Sequence, residues 1–481
     1  CYNSQNGGTM NQQNTSAPVA ENKMGTMPVG RLVLNMSLPM MISMLVQALY
    51  NVVDRIYIGH LPGTQGEALT GVGLVFPIIS MIAAFTNLFS MGGAPLFSIA
   101  RGEGDEKKAS YILNNTFTML VITAFVLMAV GYGWKRPILY LFGASDVTYP
   151  FANDYLTIYL AGTLFLMIGT GMNSFISAEG FPKTGMLVVI CGAVINIALD
   201  PLFIFVLNMG VKGAAIATVI SQFVSMILVL RFFHGNKTLY RISGKYMKLK
   251  RKLVGRIMSL GLSGFIMAVT NSLVQIVCNI TIGAYGGDLY IGVMTILNSV
   301  REIANIAIVG ITNGAQPVLG FNYGAGEYRR VKQAIRFTAI IGFAYTTFVW
   351  GCIMIFPNIF IKMFSDSATM LPPGREALKF YFFGFFFMAF QFSGQSTFVA
   401  LGKSKQAIFF SLLRKVIIVV PLTLWLPTMW NLGVDGVYLA EPVSNIVGGL
   451  ACFLTMLHIV WRELTQKEKM KIESGEINEK E

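Results

Sequence analysis

Twelve stretches of this chain are long and apolar enough to cross a lipid bilayer, and that property leaves few folds open. They fall near residues 31–58, 69–92, 110–133, 153–177, 185–207, 211–233, 254–284, 289–313, 333–356, 376–400, 406–427 and 434–460. Each is close to the ~20 residues a helix needs to span hydrocarbon. Lipid offers no partner to a backbone amide, so spanning segments of this length close their own hydrogen bonds as helices. The expectation is an all-α membrane protein. Composition agrees: 54% of the residues are hydrophobic and 12% are charged, about half the charge of a soluble chain.

The net charge of +13 raises the question of a nucleic-acid partner, and the placement of the charge answers it. Of the 36 Lys and Arg, 26 fall in the two tails and in the loops on the same side as the tails. Six fall on the opposite side, and Arg55, Arg301, Arg414 and Lys415 lie within segments. Basic residues accumulate on the cytoplasmic face of a membrane protein and meet anionic headgroups there. Both termini are therefore expected in the cytoplasm, and the basic excess marks topology rather than nucleic acid.

Residues 1–27 are polar and lack the charged and apolar regions of a signal peptide, so they read as a disordered cytoplasmic tail. Residues 462–481 read as a second tail. The run KYMKLKRKL (245–253) lies at the chain's midpoint, and residues 234–253 are expected to link two six-helix lobes, 28–233 and 254–461, along the inner membrane face. Five scattered cysteines form no CxxC pair, and three histidines near segment ends have no metal-ligand spacing. Neither group suggests disulfides or a metal site, and no cofactor is expected.

The halves repeat. LVQALYN (45–51) matches LVQIVCN (273–279), GGAPLFSIARGEGDEKKA (92–109) matches GAQPVLGFNYGAGEYRRV (314–331), and NMGVKGAAIATVISQ (208–222) matches NLGVDGVYLAEPVSN (431–445). Order is kept at offsets of 228, 222 and 223. Six helices per half insert in the same orientation, so the repeat is parallel and the substrate site is expected between the halves.

One apolar stretch carries an acid. In VICGAVINIALDPLFIF (189–205), Asn196 and Asp200 are four residues apart and share a helix face. An ionised carboxylate at mid-bilayer costs about 2.5–3.5 kcal/mol to insert. Pro201 also removes a backbone donor and frees a carbonyl one turn back. Such a face is expected to line a water-filled pathway.

The patterns NVVDRIYIGH (51–60), SAEGFPK (177–183), INIALDPLFIF (195–205) and QPVLGFNYGAG (316–326) together resemble the multidrug and toxic compound extrusion (MATE) family, most closely its MepA-like bacterial branch, over about residues 28–460. The resemblance implies two six-helix bundles in a V around a central cavity. It also implies export of organic cations and other amphiphiles in exchange for H⁺ or Na⁺. A cation site at positions matching Asp54, Asn196 and Asp200 is implied as well. Another branch places acids on helices seven and ten, where this chain has Gln275, Asn279, Gln391 and Gln395; a sodium site of that type is not expected.

The repeat separates packing from function. Gln47 and Asn51 have counterparts in Gln275 and Asn279, whereas Asp54 projects onto Ile282 and Asp200 onto about Val420. Gln47, Tyr50, Asn51 and Asp54 share one face of the first helix. Asp54 either pairs with adjacent Arg55 or headgroups, or approaches Asp200. Two close carboxylates cannot both ionise cheaply, so the pair would share a proton or bind a hard cation with the Asn196 oxygen. On helix eight, Asn298, Glu302, Asn305 and Asn313 form a second stripe. Glu302 either joins Arg301 in a buried charge network or faces the cavity and attracts cationic drugs. Glu441–Pro442 reads as a kink with a polar lining, and Glu179 as interfacial. Gly169, Gly171, Gly310 and Gly314 read as close helix contacts. The run KFYFFGFFFMAFQF (379–392) offers candidate cavity aromatics.

ALGKSK (400–405) has Thr397 where a phosphate loop needs glycine, so transport is expected to draw on an ion gradient. One charge crossing 100 mV supplies about 2.3 kcal/mol. An enzyme would need a nucleophile–base or metal cluster, and none is spaced for one. A channel would show flux independent of an ion gradient. A lipid-linked oligosaccharide flippase of the same superfamily is the main alternative, and it would carry more cavity cations for its pyrophosphate. A monomer is expected.

Overall fold

The computed structural model describes residues 19–59, 61, 67–364, 369–429 and 432–474. The first part of the expected tail (1–18), His60 and the end of the second tail (475–481) lie outside the described residues. Among the described residues, ten single helices pass as membrane spans by length and composition. In chain order, with two interrupted units included, they are α1 (Val29–Gly59), α2 (Glu67–Gly102), α3 (Glu106–Leu141), α4 (Tyr149–Ala161 with Thr163–Ala178), α5 (Pro182–Val206), α6 (Gly210–His234), α7 (Arg251–Gly287), α8 (Leu289–Gly324), α9 (Tyr328–Ile355), α10 (Leu371–Phe382 with Met388–Ala400), α11 (Ser404–Thr428) and α12 (Val434–Glu473).

Two expectations of continuous helix are corrected. α4 bends by 55° at its break. There Gly162 lies against α6 so closely that a Cβ would run into the Val219 side chain. The expected span at 376–400 is two shorter helices joined by a 3₁₀ turn at Phe385–Phe387, so it is not a continuous crossing. Its break falls where Gly384 meets the Pro442 carbonyl of α12. α7 and α8 are separated at Gly287, whose φ of 68° is a conformation glycine adopts without strain.

Two tail expectations also change. Residues 19–26 form a short helix, with Met24 buried. Arg330 of α9 donates to the carbonyls of Met24 and Met27 at 3.1 and 2.8 Å. Residues 462–473 continue α12 as helix and are tied down by ion pairs of Glu463 with Lys403 and Lys467, and of Glu468 with Lys332. The segment between α6 and α7 is held under the first half: Asn115 donates to the Tyr246 carbonyl at 3.0 Å and accepts from the Lys250 amide at 2.9 Å. Glu179 is not interfacial. It is buried and accepts from the Thr238 hydroxyl at 2.6 Å and the Leu239 amide at 3.2 Å.

Contacts between the halves gather at the end that bears the termini. Ser37 of α1 donates to the Ile311 carbonyl of α8 at 3.0 Å, and Gly310 and Gly314 seat against Met41 and Ser37. Gly92 and Gly261 bring α2 and α7 so near that a Cβ on either would collide with a carbonyl of the other helix. Close approach of this kind is how small residues join helices in lipid. Toward the other end, Leu45, Leu49 and Val52 of α1 and Ile276 and Ile280 of α7 are exposed.

The repeat is visible in matched contacts. Asn173 of α4 donates to the Gly185 carbonyl at 3.3 Å, and Gln395 of α10 donates to the Ala407 carbonyl at 2.9 Å; both pairs are 222 apart in sequence. Gln395 is therefore a packing residue.

Candidate functional site

α5 presents Asn196 and Asp200 on one face, and both are buried, 1% and 0% exposed. After Pro201 the helix widens into a π segment, Leu202–Val206, because proline cannot donate the next bond of the ladder. The Asn196 amide donates to the Asp200 carboxylate at 3.3 Å and reaches the Thr218 hydroxyl of α6 at 3.4 Å. Thr218 in turn donates to the Ala214 carbonyl at 3.0 Å. The Asn196 Oδ1 and Asp200 Oδ2 atoms are buried acceptors that meet no donor among the described residues. Asp200 has no ion pair with a basic side chain among them. Unsatisfied acceptors in an apolar interior are costly, and a proton or a cation is what satisfies acceptors.

Asp54 of α1 is half-buried and lies within electrostatic range of Asp200. It also makes contacts of its own, and the Arg55 side chain lies outside the described residues. Tyr50 shares this environment with Asp54 and hydrogen-bonds Gln47. Two residues that the sequence left unmarked complete it: Tyr155 and Tyr159 of α4 are buried and stacked at 5.9 Å, in range of Asp54. Their i, i+4 spacing was the available signal, and it looks like ordinary apolar periodicity. The structure thus brings Asp54, Asn196, Asp200 and Tyr50 together, while Gln47 and Asn51 are exposed.

The other expected cavity residues divide. Gln275 of α7 lines a pocket inside the second half, together with Asn271, Asn298, Arg301, Tyr381 and Glu441. Asn279 does not line it. Asn305 is half-buried, and its Oδ1 meets no donor among the described residues. Glu302 is exposed, and Thr295, Ser299 and Glu302 fall at i, i+4 and i+7 on one stripe of α8.

Of the two readings of Glu302, the buried network with Arg301 does not form among the described residues. Arg301 turns to Glu441 of α12 at 3.1 Å, and two further bases from α11 converge on the same carboxylate: Arg414 at 2.7 Å and Lys415 at 3.0 Å. Glu302 makes no ion pair among the described residues. Glu441 is therefore a charge centre rather than a kink lining. Each of the four charges was visible inside an apolar segment, but nothing in the sequence joined them. The aromatic run at 379–392 mostly packs on itself and its neighbours, as Phe386 does on Trp350 and Phe387. Tyr381 is the exception, with the Arg301 guanidinium 5.7 Å from its ring.

The chain matches the MatE family model twice, over residues 39–202 and 264–425, one match per half. Multidrug export protein MepA of Staphylococcus haemolyticus is 24% identical over 349 residues, covering 73% of this chain and 76% of that protein. MepA of a bovine Staphylococcus aureus strain is 22% identical over 394 residues, covering 82% and 86%. A crystal structure of MATE in the bent conformation superposes with a TM-score of 0.87 at 22% identity, covering 94% of this chain and 99% of that one. An outward-facing structure of a multidrug resistance MATE family transporter of the MOP superfamily gives 0.86, covering 94% and 100%.

Proposed function

We propose, from the premise that this chain belongs to the MatE family, that it exports cationic and amphiphilic organic compounds in exchange for inward-moving H⁺ or Na⁺. The relatives named as multidrug export proteins support the first part. The second rests on one observation: two buried acceptor oxygens inside a membrane helix, on Asn196 and Asp200, meet no donor among the described residues. A proton on Asp200, or a sodium ion held by oxygens of Asp54, Asn196 and Asp200, removes that cost; hard cations take such oxygen ligands.

The exchange runs between two states. With the ion bound, the acidic face is neutral and the cationic cargo is released. When the ion leaves, the carboxylates regain charge and a cationic drug is attracted into the space between the halves, to which we assign the exposed Gln47, Asn51 and Glu302. The halves rock about their glycine-rich contact at the terminus-bearing end, which we place in the cytoplasm on the charge count. The π segment after Pro201 gives α5 a place to change its bond pattern as the ion comes and goes.

The test is ethidium export from proteoliposomes under an imposed pH gradient and then under a sodium gradient. One gradient drives export by the intact protein. Asp200→Asn inserts and folds but exports nothing above empty liposomes. Undiminished export by that variant would refute the coupling role.

A further inference from the structure

The second half holds a buried site with the opposite sign. Three bases from two helices converge on the single carboxylate of Glu441, and Oε1 takes all three contacts. The side chains of Glu441, Lys415 and Arg414 are 4, 6 and 9% exposed. Arginine stays protonated, so the two guanidiniums alone exceed the one carboxylate by one formal positive charge. Buried charge without a partner is strongly unfavourable. The Arg414 Nε is also buried and meets no acceptor among the described residues.

Beside this cluster lies the pocket lined by Asn271, Gln275, Asn298, Arg301, Tyr381 and Glu441. Arg301 is the base that borders it and is the more exposed of the three, at 23%. The Tyr381 hydroxyl donates to Asn298 Oδ1 at 3.3 Å, which occupies that oxygen and leaves the Asn298 amide hydrogens as donors. Asn271 and Gln275, one turn apart on α7, supply further amide donors. The pocket wall thus combines one guanidinium and several N–H donors with the Glu441 carboxylate, and it is backed by two more bases. A planar carboxylate is what such a fork and its flanking amides recognise.

We propose that this pocket, whose enclosed volume is about 10 Å³, seats the carboxylate head of a solute whose remainder lies outside it. A cluster that only fixed helix packing would show no dependence on anions. The proposal stands apart from cation coupling in the first half, because binding is read without transport.

The experiment is thermal unfolding of the purified full chain while potassium chloride and potassium benzoate are titrated separately. The intact protein shows a saturable rise in its unfolding midpoint with benzoate. Arg301→Gln raises the half-saturating concentration roughly tenfold or more, the scale of a hydrogen bond to a charged group, whereas a non-specific salt effect would persist unchanged. Glu441→Gln removes the competing carboxylate and lowers that concentration. Should Glu441→Gln fail to fold, Asn298→Leu replaces it; this variant keeps every charge, removes one donor and weakens binding. Saturation by benzoate at a lower concentration than chloride supports the proposal, and the reverse overturns it. Absence of a saturable rise with either salt, or the same rise in Arg301→Gln, overturns the proposal.

Discussion

The acidic site of the first half and the basic cluster of the second stand at matching places in the repeat. Thr218, which touches Asn196, lies 223 residues before Glu441, and Tyr159 lies 222 before Tyr381. Both sites sit where a helix widens: Leu202–Val206 in α5 and Leu413–Val419 in α11 are π segments. The packing is exchanged as well. In the first half Gly192 lies under Ser225, whereas in the second Arg414 lies over Gly448, and these positions are also equivalent within one residue of offset. A shared scaffold has been filled with opposite charge. The difference teaches that the frame fixes where a charged site can exist in this fold, while a few side chains fix its sign.

That contrast can be broken by experiment. The largest effect is expected from crossing the two sites in one assay. Asp200→Asn abolishes gradient-driven ethidium export, while Arg301→Gln leaves it within about fivefold, the equivalent of about 1 kcal/mol. Equal losses in both variants would erase the functional asymmetry. Next comes stability. Glu441→Ala leaves three buried bases without their acid and should cost about 3–5 kcal/mol, seen as a marked fall in the unfolding midpoint. Asp200→Ala removes a buried acid that has no basic partner and should leave the midpoint level or raised. A smaller effect concerns the contact that joins the halves. Gly261→Ala forces α7 away from the Leu88 carbonyl and should cost about 1–3 kcal/mol, as overpacking does, read as easier proteolysis at the terminus-bearing end. The smallest effect compares matched packing amides: Asn173→Ala and Gln395→Ala should each cost about 1 kcal/mol and leave ethidium export intact. Loss of export in Gln395→Ala alone would show that the second half carries a function its packing hides.

Much of the frame was legible beforehand because lipid permits so little. Segment positions, the parallel repeat and the face shared by Asn196 and Asp200 follow from hydropathy and spacing alone. The limits of that reading fall at particular residues. α10 was read as one helix because hydropathy does not register the approach of Pro442 that accompanies the break at Gly384. Glu179 was read as interfacial from its place at a helix end, yet the following segment folds back and buries it under Thr238. A pairing of Arg301 with its chain neighbour Glu302 stayed open beside a cavity-facing Glu302, but residues adjacent on a helix point about 100° apart, and only one of the two could face α12.

The sequence by itself determined that this chain is a membrane protein of two like halves with an acid-bearing helix in the first, because burial of apolar length and the cost of a charge in lipid are local properties. Tertiary structure alone decided which charges meet. Arg301, Arg414, Lys415 and Glu441 come from three helices spread over 140 residues, and no periodicity links them. A Coulomb contact depends on distance through space, and that distance is set only when the helices have packed.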